Sequence, residues 1–334
     1  MNASYACFCC GTCTFMNDYL NVAPLSDQIV IEAAGPDCVS FLQSQLTQDM
    51  AQLQADSARL AGYCTAKGRL VASTVAWKPE SIQAPLVHLL VKADIAAEFI
   101  KRLSVYILRA KVKLRITDST VHGILIQQTT SGGVRSLGLP RSARPWTVVQ
   151  SDKGAYIAAP SADPSIDRWW FISAEGGTAS PAGMQGNLEA TQWRAADIAA
   201  GLPWITAATQ DLFIPQTMNL DLIDGVSFNK GCYPGQEVVA RSHYRGKIKR
   251  RTAYGVIQGH ARPQDSELAG ADVFNARSPG RPCGRVINAA QTDRTHLLFE
   301  VQLADLGTAD FRIDRANGPE IALQTLPYEI TGIS

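Results

Sequence analysis

The chain has 334 residues, enough for two or three compact domains. Its 46% apolar and 18% charged residues form a globular balance that excludes wholesale disorder. Thirty-one basic against thirty acidic residues leave a formal charge of +1, which excludes a global field drawing the protein onto nucleic acid or anionic lipid.

Four of the eight cysteines, Cys7, Cys9, Cys10 and Cys13, lie near the start. Thiolates at such spacing can hold zinc or a soft metal, but no histidine is close and no structural pattern surrounds them. Residues 1–20 are expected to be a disordered extension without a metal, and Met16 reads as an alternative start. The first basic residue is Arg59, which fits neither a signal peptide nor an Arg-rich presequence. No apolar run of about 18 residues is present, so no membrane span is expected and the expected address is the cytoplasm. Cys38, Cys64, Cys232 and Cys283 lack the spacing of a disulfide framework, which suits a reducing compartment.

Gln28–Ala33 reads as a strand. Gly35-Pro36-Asp37 then opens a helix carrying Val39, Leu42 and Leu46. Residues 57–77 form a hairpin turning at Lys67-Gly68, and Leu86–Val91 is a further strand. Ile95, Phe99, Leu103 and Ile107 mark one helix face. Val112, Leu114 and Ile116 alternate with Lys111, Lys113 and Arg115, as in a strand with one solvated face. Between 127 and 185, strands are expected at Trp146–Gln150, Gly154–Ala159 and Arg168–Ser173. A helix over Leu188–Ala200 stops at Gly201-Leu202-Pro203. From Thr252 onward, short strands and turns predict a small all-β module, with the boundary near 245–251. The class is α+β, without the regular alternation of a doubly wound sheet.

The densest chemistry lies in Phe228-Asn229-Lys230-Gly231-Cys232-Tyr233-Pro234-Gly235-Gln236-Glu237. Gly231 and Gly235 allow a tight loop that leaves the thiol free, and Gln236–Ser242 reads as a helix. Seven Lys or Arg residues between 230 and 251 face one acid, Glu237. Cations and a helix start both favour thiolate, which would make Cys232 a nucleophilic or redox-sensitive group. From the residues alone, an inert turn cysteine beside a solvated basic face is the commoner outcome. The five histidines form no local motif with Cys232, and no Walker or dinucleotide fingerprint is present.

The run Lys230 to Glu237 with Arg241 resembles the Lys-Gly-Cys-aromatic-x-Gly-Gln-Glu-x-x-x-Arg signature of the YgfZ family. Phe213-Ile214-Pro215-Gln216, Asn219-Leu220, Gly35 to Asp49, Tyr106 with Leu108 to Val112, and Leu326-Pro327-Tyr328 are similar to other family segments. The resemblance implies a three-domain ring like the glycine-cleavage T-protein, an aminomethyltransferase. Two interwoven α+β domains over 21–246 would form the folate-binding region, and a C-terminal β-barrel would span 247–334. It implies tetrahydrofolate in a central channel flanked by two aromatic positions, here Trp193 and Gln28. Trp193 alone reads equally well as a core residue.

It further implies a role supporting assembly or repair of iron–sulfur enzymes, among them a radical tRNA methylthiotransferase, with those enzymes or assembly factors as partners. Neither direct nucleic-acid binding nor a membrane is expected. A folate beside the Cys232 thiolate would suit redox protection or transient handling of a cluster or sulfur. Where the T-protein carries acids, this sequence has Ala72 and Ser73 after Gly68, and Ala199 before Ala200-Gly201. A methyl group cannot act as base or acceptor, so aminomethyl transfer is not expected. Two alternatives are a folate-dependent one-carbon transferase or demethylase, and an RNA-binding module using 241–251 with Tyr244 and Tyr254.

Overall fold

A computed structural model describes residues 21–79, 85–128, 137–177, 187–246, 248–261 and 268–330. The N-terminal cysteines lie outside the described residues.

The first sheet runs β1 (Asn21–Pro24), β7 (Val121–Gln127), β10 (Ile166–Ser173), β9 (Gly154–Ala159), β8 (Val148–Ser151), antiparallel throughout. The second runs β3 (Arg59–Cys64), β4 (Leu70–Trp77), β5 (Leu86–Lys92), β2 (Gln28–Ala34), β6 (Lys113–Ile116). Because β1 and β2 enter different sheets, the two units are threaded through each other. The fold is mixed α and β, as expected.

Strand alternation sends neighbouring residues to opposite faces. On β10, Trp170 and Ile172 enter the main core shared with the second sheet, while Trp169 and Phe171 enter a separate outer cluster. The C-terminal strands form a six-stranded sheet ordered β15 (Phe311–Ile313), β12 (Asp272–Asn275), β13 (Gly284–Gln291), β14 (Thr295–Gln302), β11 (Arg250–Ile257), β16 (Ala322–Gln324). Tyr254, Val256 and Leu298 join the main core, and Ala253, Leu297 and Phe299 fill this sheet's own core.

The helices are short. Helix α1 (Cys38–Gln43) ends before Leu46, which instead bridges to Tyr63. Helix α2 (Ala93–Ser104) ends before Ile107, because Tyr106 and Ile107 turn back onto the carbonyls of Leu103 and Ser104. Helix α3 spans Ala190–Ala199 and stops at Gly201, whose φ of +67° suits glycine. Helix α4 spans Gln236–Tyr244.

Two family-like segments fasten the units together. Asn219 donates to Thr252 O at 2.9 Å and accepts from Thr252 N, while the Tyr328 hydroxyl donates to Gly201 O at 3.0 Å. The chain's end is thereby tied to the end of α3.

Candidate functional site

A cavity of about 780 Å³ opens where the start of α2, one face of α3 and strand β13 meet. That volume lies within the ~300–1,000 Å³ of small-molecule sites. Trp204 borders the cavity with only 2% of its surface exposed. Its backbone N–H and C=O are both clamped by the Asn288 amide at 2.8 Å, and its indole N–H donates to Asp197 Oδ2 at 3.1 Å.

Charge in the cavity is arranged in pairs. Lys92 Nζ lies 2.7 Å from Asp27 Oδ2 and 5.5 Å from the Trp204 ring centre, and Arg194 approaches Asp27 at 3.7 Å. Burial alone would raise the Asp27 carboxyl, but Lys92 and Arg194 outweigh it and hold the group below its ordinary value. Asp197, on α3, is deeply buried and bonds Arg168 at 2.5 Å. Burial raises its carboxyl despite the opposing pull of Arg168. Asp94 Oδ2 accepts the Ala207 N–H at 2.9 Å. His260, Asn288 and Gln291 complete the polar lining.

The two positions assigned to aromatic contact sit behind the cavity lining. Trp193 is fully buried and Gln28 is 3% exposed, and neither lines the cavity. Their sequence neighbours Arg194 and Asp27 do. Gln28 Oε1 accepts the Trp170 indole N–H at 3.1 Å, and Trp170 meets Trp193 and Trp204 edge-on. Gln28 therefore holds a tryptophan cluster in place. Gly123 explains how Trp193 lies so close to β7, since a Cβ there would fall 2.3 Å from its ring. Glycine inside a strand was the available signal for that approach.

The positions read as lost acids also lie elsewhere. Ala72 is buried in β4, and Ser73 Oγ accepts the Ile205 N–H at 2.9 Å. Ala199 borders a separate small cavity of about 110 Å³. The acids at the large cavity are Asp27, Asp94 and Asp197, which sequence reasoning missed because they belong to no motif.

The cysteine loop forms a second feature and shares no residue with the cavity lining. The Lys230 ammonium donates to the carbonyls of Gln43, Leu46 and Gln48 at 2.5, 2.6 and 3.2 Å, pinning the loop to the end of α1. Its charge lies 5.2 Å from the ring of buried Tyr233. Gly235 has φ +81°, and a Cβ there would meet Thr65 O at 2.4 Å and Gly68 Cα at 2.7 Å. The loop thus seats on the β3–β4 turn, glycine against glycine. Gly231 has open space where a Cβ would be and no left-handed φ, so only Gly235 carries the conformational role expected of both.

Cys232 is exposed four residues before α4. Cys38, Cys64 and Cys283 are buried, and burial raises all three thiols, Cys64 to about 12 and Cys283 to about 11. Gln236 opens α4 with its N–H on Tyr233 O, and Glu237 pairs with Arg241 one turn on at the surface. His243 stacks on Phe228 with ring centres 3.7 Å apart. No metal-ligating cluster occurs among the described residues.

Of the two tyrosines named in the RNA reading, Tyr244 is 65% exposed and only Tyr254 is withdrawn from the surface. Tyr254 is buried with its hydroxyl 2.8 Å from His296 Nδ1. Arg251 is buried against Asp221 at 2.6 Å, and Arg250 pairs with Glu300 at 2.9 Å.

The architecture is that of an aminomethyltransferase T fold. The structure of the glycine cleavage system aminomethyltransferase T from Bartonella henselae aligns over 92% of this chain and 86% of its own, with a TM-score of 0.69 at 15% identity. The chain belongs to the YgfZ family. It is 31% identical over 330 residues to the tRNA-modifying protein YgfZ of Sodalis glossinidius, covering 93% of this chain and 94% of that one. It is 32% identical over 323 residues to the namesake from Edwardsiella ictaluri, covering 92% of each. No family model matches. No helix among the described residues is long and apolar enough to cross a membrane.

Proposed function

We propose that the protein binds a reduced folate in the large cavity and, through Cys232, supports assembly or repair of iron–sulfur enzymes, including those that modify tRNA. The name of the relatives, tRNA-modifying protein, supports that direction. The observation that carries the ligand assignment is the cavity's combination of Trp204 with acidic and cationic side chains.

These residues fit a folate. Trp204 offers a face to the pterin, Asp197 offers acceptor lone pairs to pterin N–H groups, and Arg194 and His260 suit the glutamate carboxylates. A bound tetrahydrofolate would supply a readily oxidised pterin. The chain's own contribution is to bind it, orient it against Trp204 and keep water from its buried edge. In this reading residues 21–246 are the folate-binding region, 247–334 close as a β-barrel, and the three units form a ring, in the cytoplasm. The partners are client enzymes or assembly factors.

The one-carbon transferase alternative finds no free carboxylate base at the cavity. Asp27 is held by Lys92, Asp94 by the Ala207 N–H, and Asp197 by Arg168 and Trp204. Cys232 lies off the cavity wall, so a thiolate in contact with bound folate is not part of the proposal.

The function is tested by complementing a strain that lacks the protein. Cys232→Ser is expected to fold normally, since the thiol is exposed. It should leave tRNA methylthiolation, read by mass spectrometry of tRNA nucleosides, at the deletion level. Full restoration by Cys232→Ser would remove the thiol from the function.

A further inference from the structure

The sheet β3-β4-β5-β2-β6 ends differently at its two edges. β3 is almost wholly buried, whereas β6 is exposed at Lys113, Arg115 and Ile116. Thr117 N donates to Val30 O at 2.9 Å, which fixes the parity of the β2–β6 ladder. In an antiparallel pair, residues bonded to the neighbour alternate with residues whose N–H and C=O point away. The backbone groups of Leu114 and Ile116 therefore point out from the sheet.

Beside this edge lies the segment that follows α2, a helix packed on β6. Val105 is 68% exposed and Leu108 87% exposed, and Tyr106 and Ile116 are also exposed. Single exposed apolar residues need no explanation, but a group of them marks an interaction surface. From Lys101 to Lys113 there are five cations and no acid. Arg102 pairs with Glu98, while Lys101, Arg109, Lys111 and Lys113 form no ion pair among the described residues. Arg115 is already held by Glu32 and Glu175.

This combination selects among occupants. Pairing with the same edge of a second copy would set lysine against lysine, which is repulsive. A nucleic acid would use the charge and Tyr106 but gain nothing from Val105 and Leu108. An extended protein segment carrying both carboxylates and apolar residues uses the backbone edge, the cations and the apolar group together. We propose that β6 and residues 105–111 form a docking edge to which an acidic, extended segment of a partner protein adds as a further strand. The idea is independent of the folate assignment, since no residue of this edge lines the cavity.

The probe is a fluorescein-labelled decapeptide of alternating glutamate and valine, followed by anisotropy on the intact chain. Saturable binding is expected, weakening with salt. Ile116→Pro removes one outward N–H and leaves the β2 ladder intact, and should weaken binding about tenfold or more for a lost strand-addition contact. Lys111→Glu/Lys113→Glu should do the same with an unchanged melting temperature. In the unmodified protein, the Ile116 amide should exchange fast with deuterium and become protected when peptide is added, a readout that stands even if Ile116→Pro fails to fold. The proposal is overturned if the acidic peptide does not bind at millimolar concentration, or if a lysine–valine peptide binds equally. Tighter binding of a uridine decamer, or an Ile116 amide whose exchange is unaltered by saturating peptide, would also overturn it.

Discussion

Arg168→Met is expected to cost about 3–5 kcal/mol of stability, the usual penalty for removing one partner of a buried ion pair. Arg168 and Asp197 are among the deepest charged groups in the protein, with side chains 2% and 3% exposed. The guanidinium donates to Asp197, to Pro160 O at 2.7 Å and to Trp193 O at 3.3 Å, and it lies 4.2 Å from the Trp193 ring centre. Without it, Asp197 keeps only the Trp204 indole as a direct side-chain donor, in a setting where an unpaired carboxylate is strongly disfavoured. The double variant Arg168→Met/Asp197→Leu should recover much of the loss, because the cost lies in the stranded charge rather than in the pair. Urea midpoints on both variants check this. A single variant as stable as the parent would show that the pair is not buried as described.

Lys230→Met is the second large effect, about 3 kcal/mol. A lysine ammonium has three donors, and here each meets a carbonyl, those of Gln43, Leu46 and Gln48. Methionine keeps the length of the side chain but leaves the acceptors at the end of α1 without that partner, at ~1–3 kcal/mol for each one that water cannot reach. Lys230→Arg should rescue poorly, because no single nitrogen of a planar guanidinium can donate to three surrounding carbonyls. Hydrogen exchange should quicken across 228–235 in Lys230→Met, since the loop loses its tie to α1. Unchanged exchange there, with an unchanged urea midpoint, would refute the anchoring role. In this structure Lys230 ties the cysteine loop to the residues at and after the end of α1.

Local signals in the sequence were the most legible. The hairpin at Lys67-Gly68, helices α2 and α3 and strands β9 and β10 followed from alternation, periodicity and stop residues, and they stand close to where expected. Trp146 fell outside β8 because its φ is +73°, a conformation that alternation does not reveal. What stayed hidden was long-range. Pairing of β1 with β7, about a hundred residues apart, leaves no local mark. Nor does the seating of Gly235 on Gly68, although both glycines were visible as glycines. At the site, the motif and the resemblance located the cysteine loop and its lysine. The resemblance put the aromatic contact on Trp193 and Gln28, which are buried next to Arg194 and Asp27 of the cavity lining. Trp204 and Asp197 carried no motif and emerged only from the folded geometry.

The central claim is that the cavity holds a reduced folate against Trp204. The most direct measurement is calorimetric titration of the purified protein with tetrahydrofolate, repeated on Trp204→Ala with melting temperatures checked. Saturable binding by the parent is predicted, weakened about tenfold or more in the variant, in keeping with the roughly 1–3 kcal/mol of an aromatic stack. No saturable binding by the parent, or equal binding by a folded Trp204→Ala, would contradict it and leave the family fold and its cysteine loop without the cofactor.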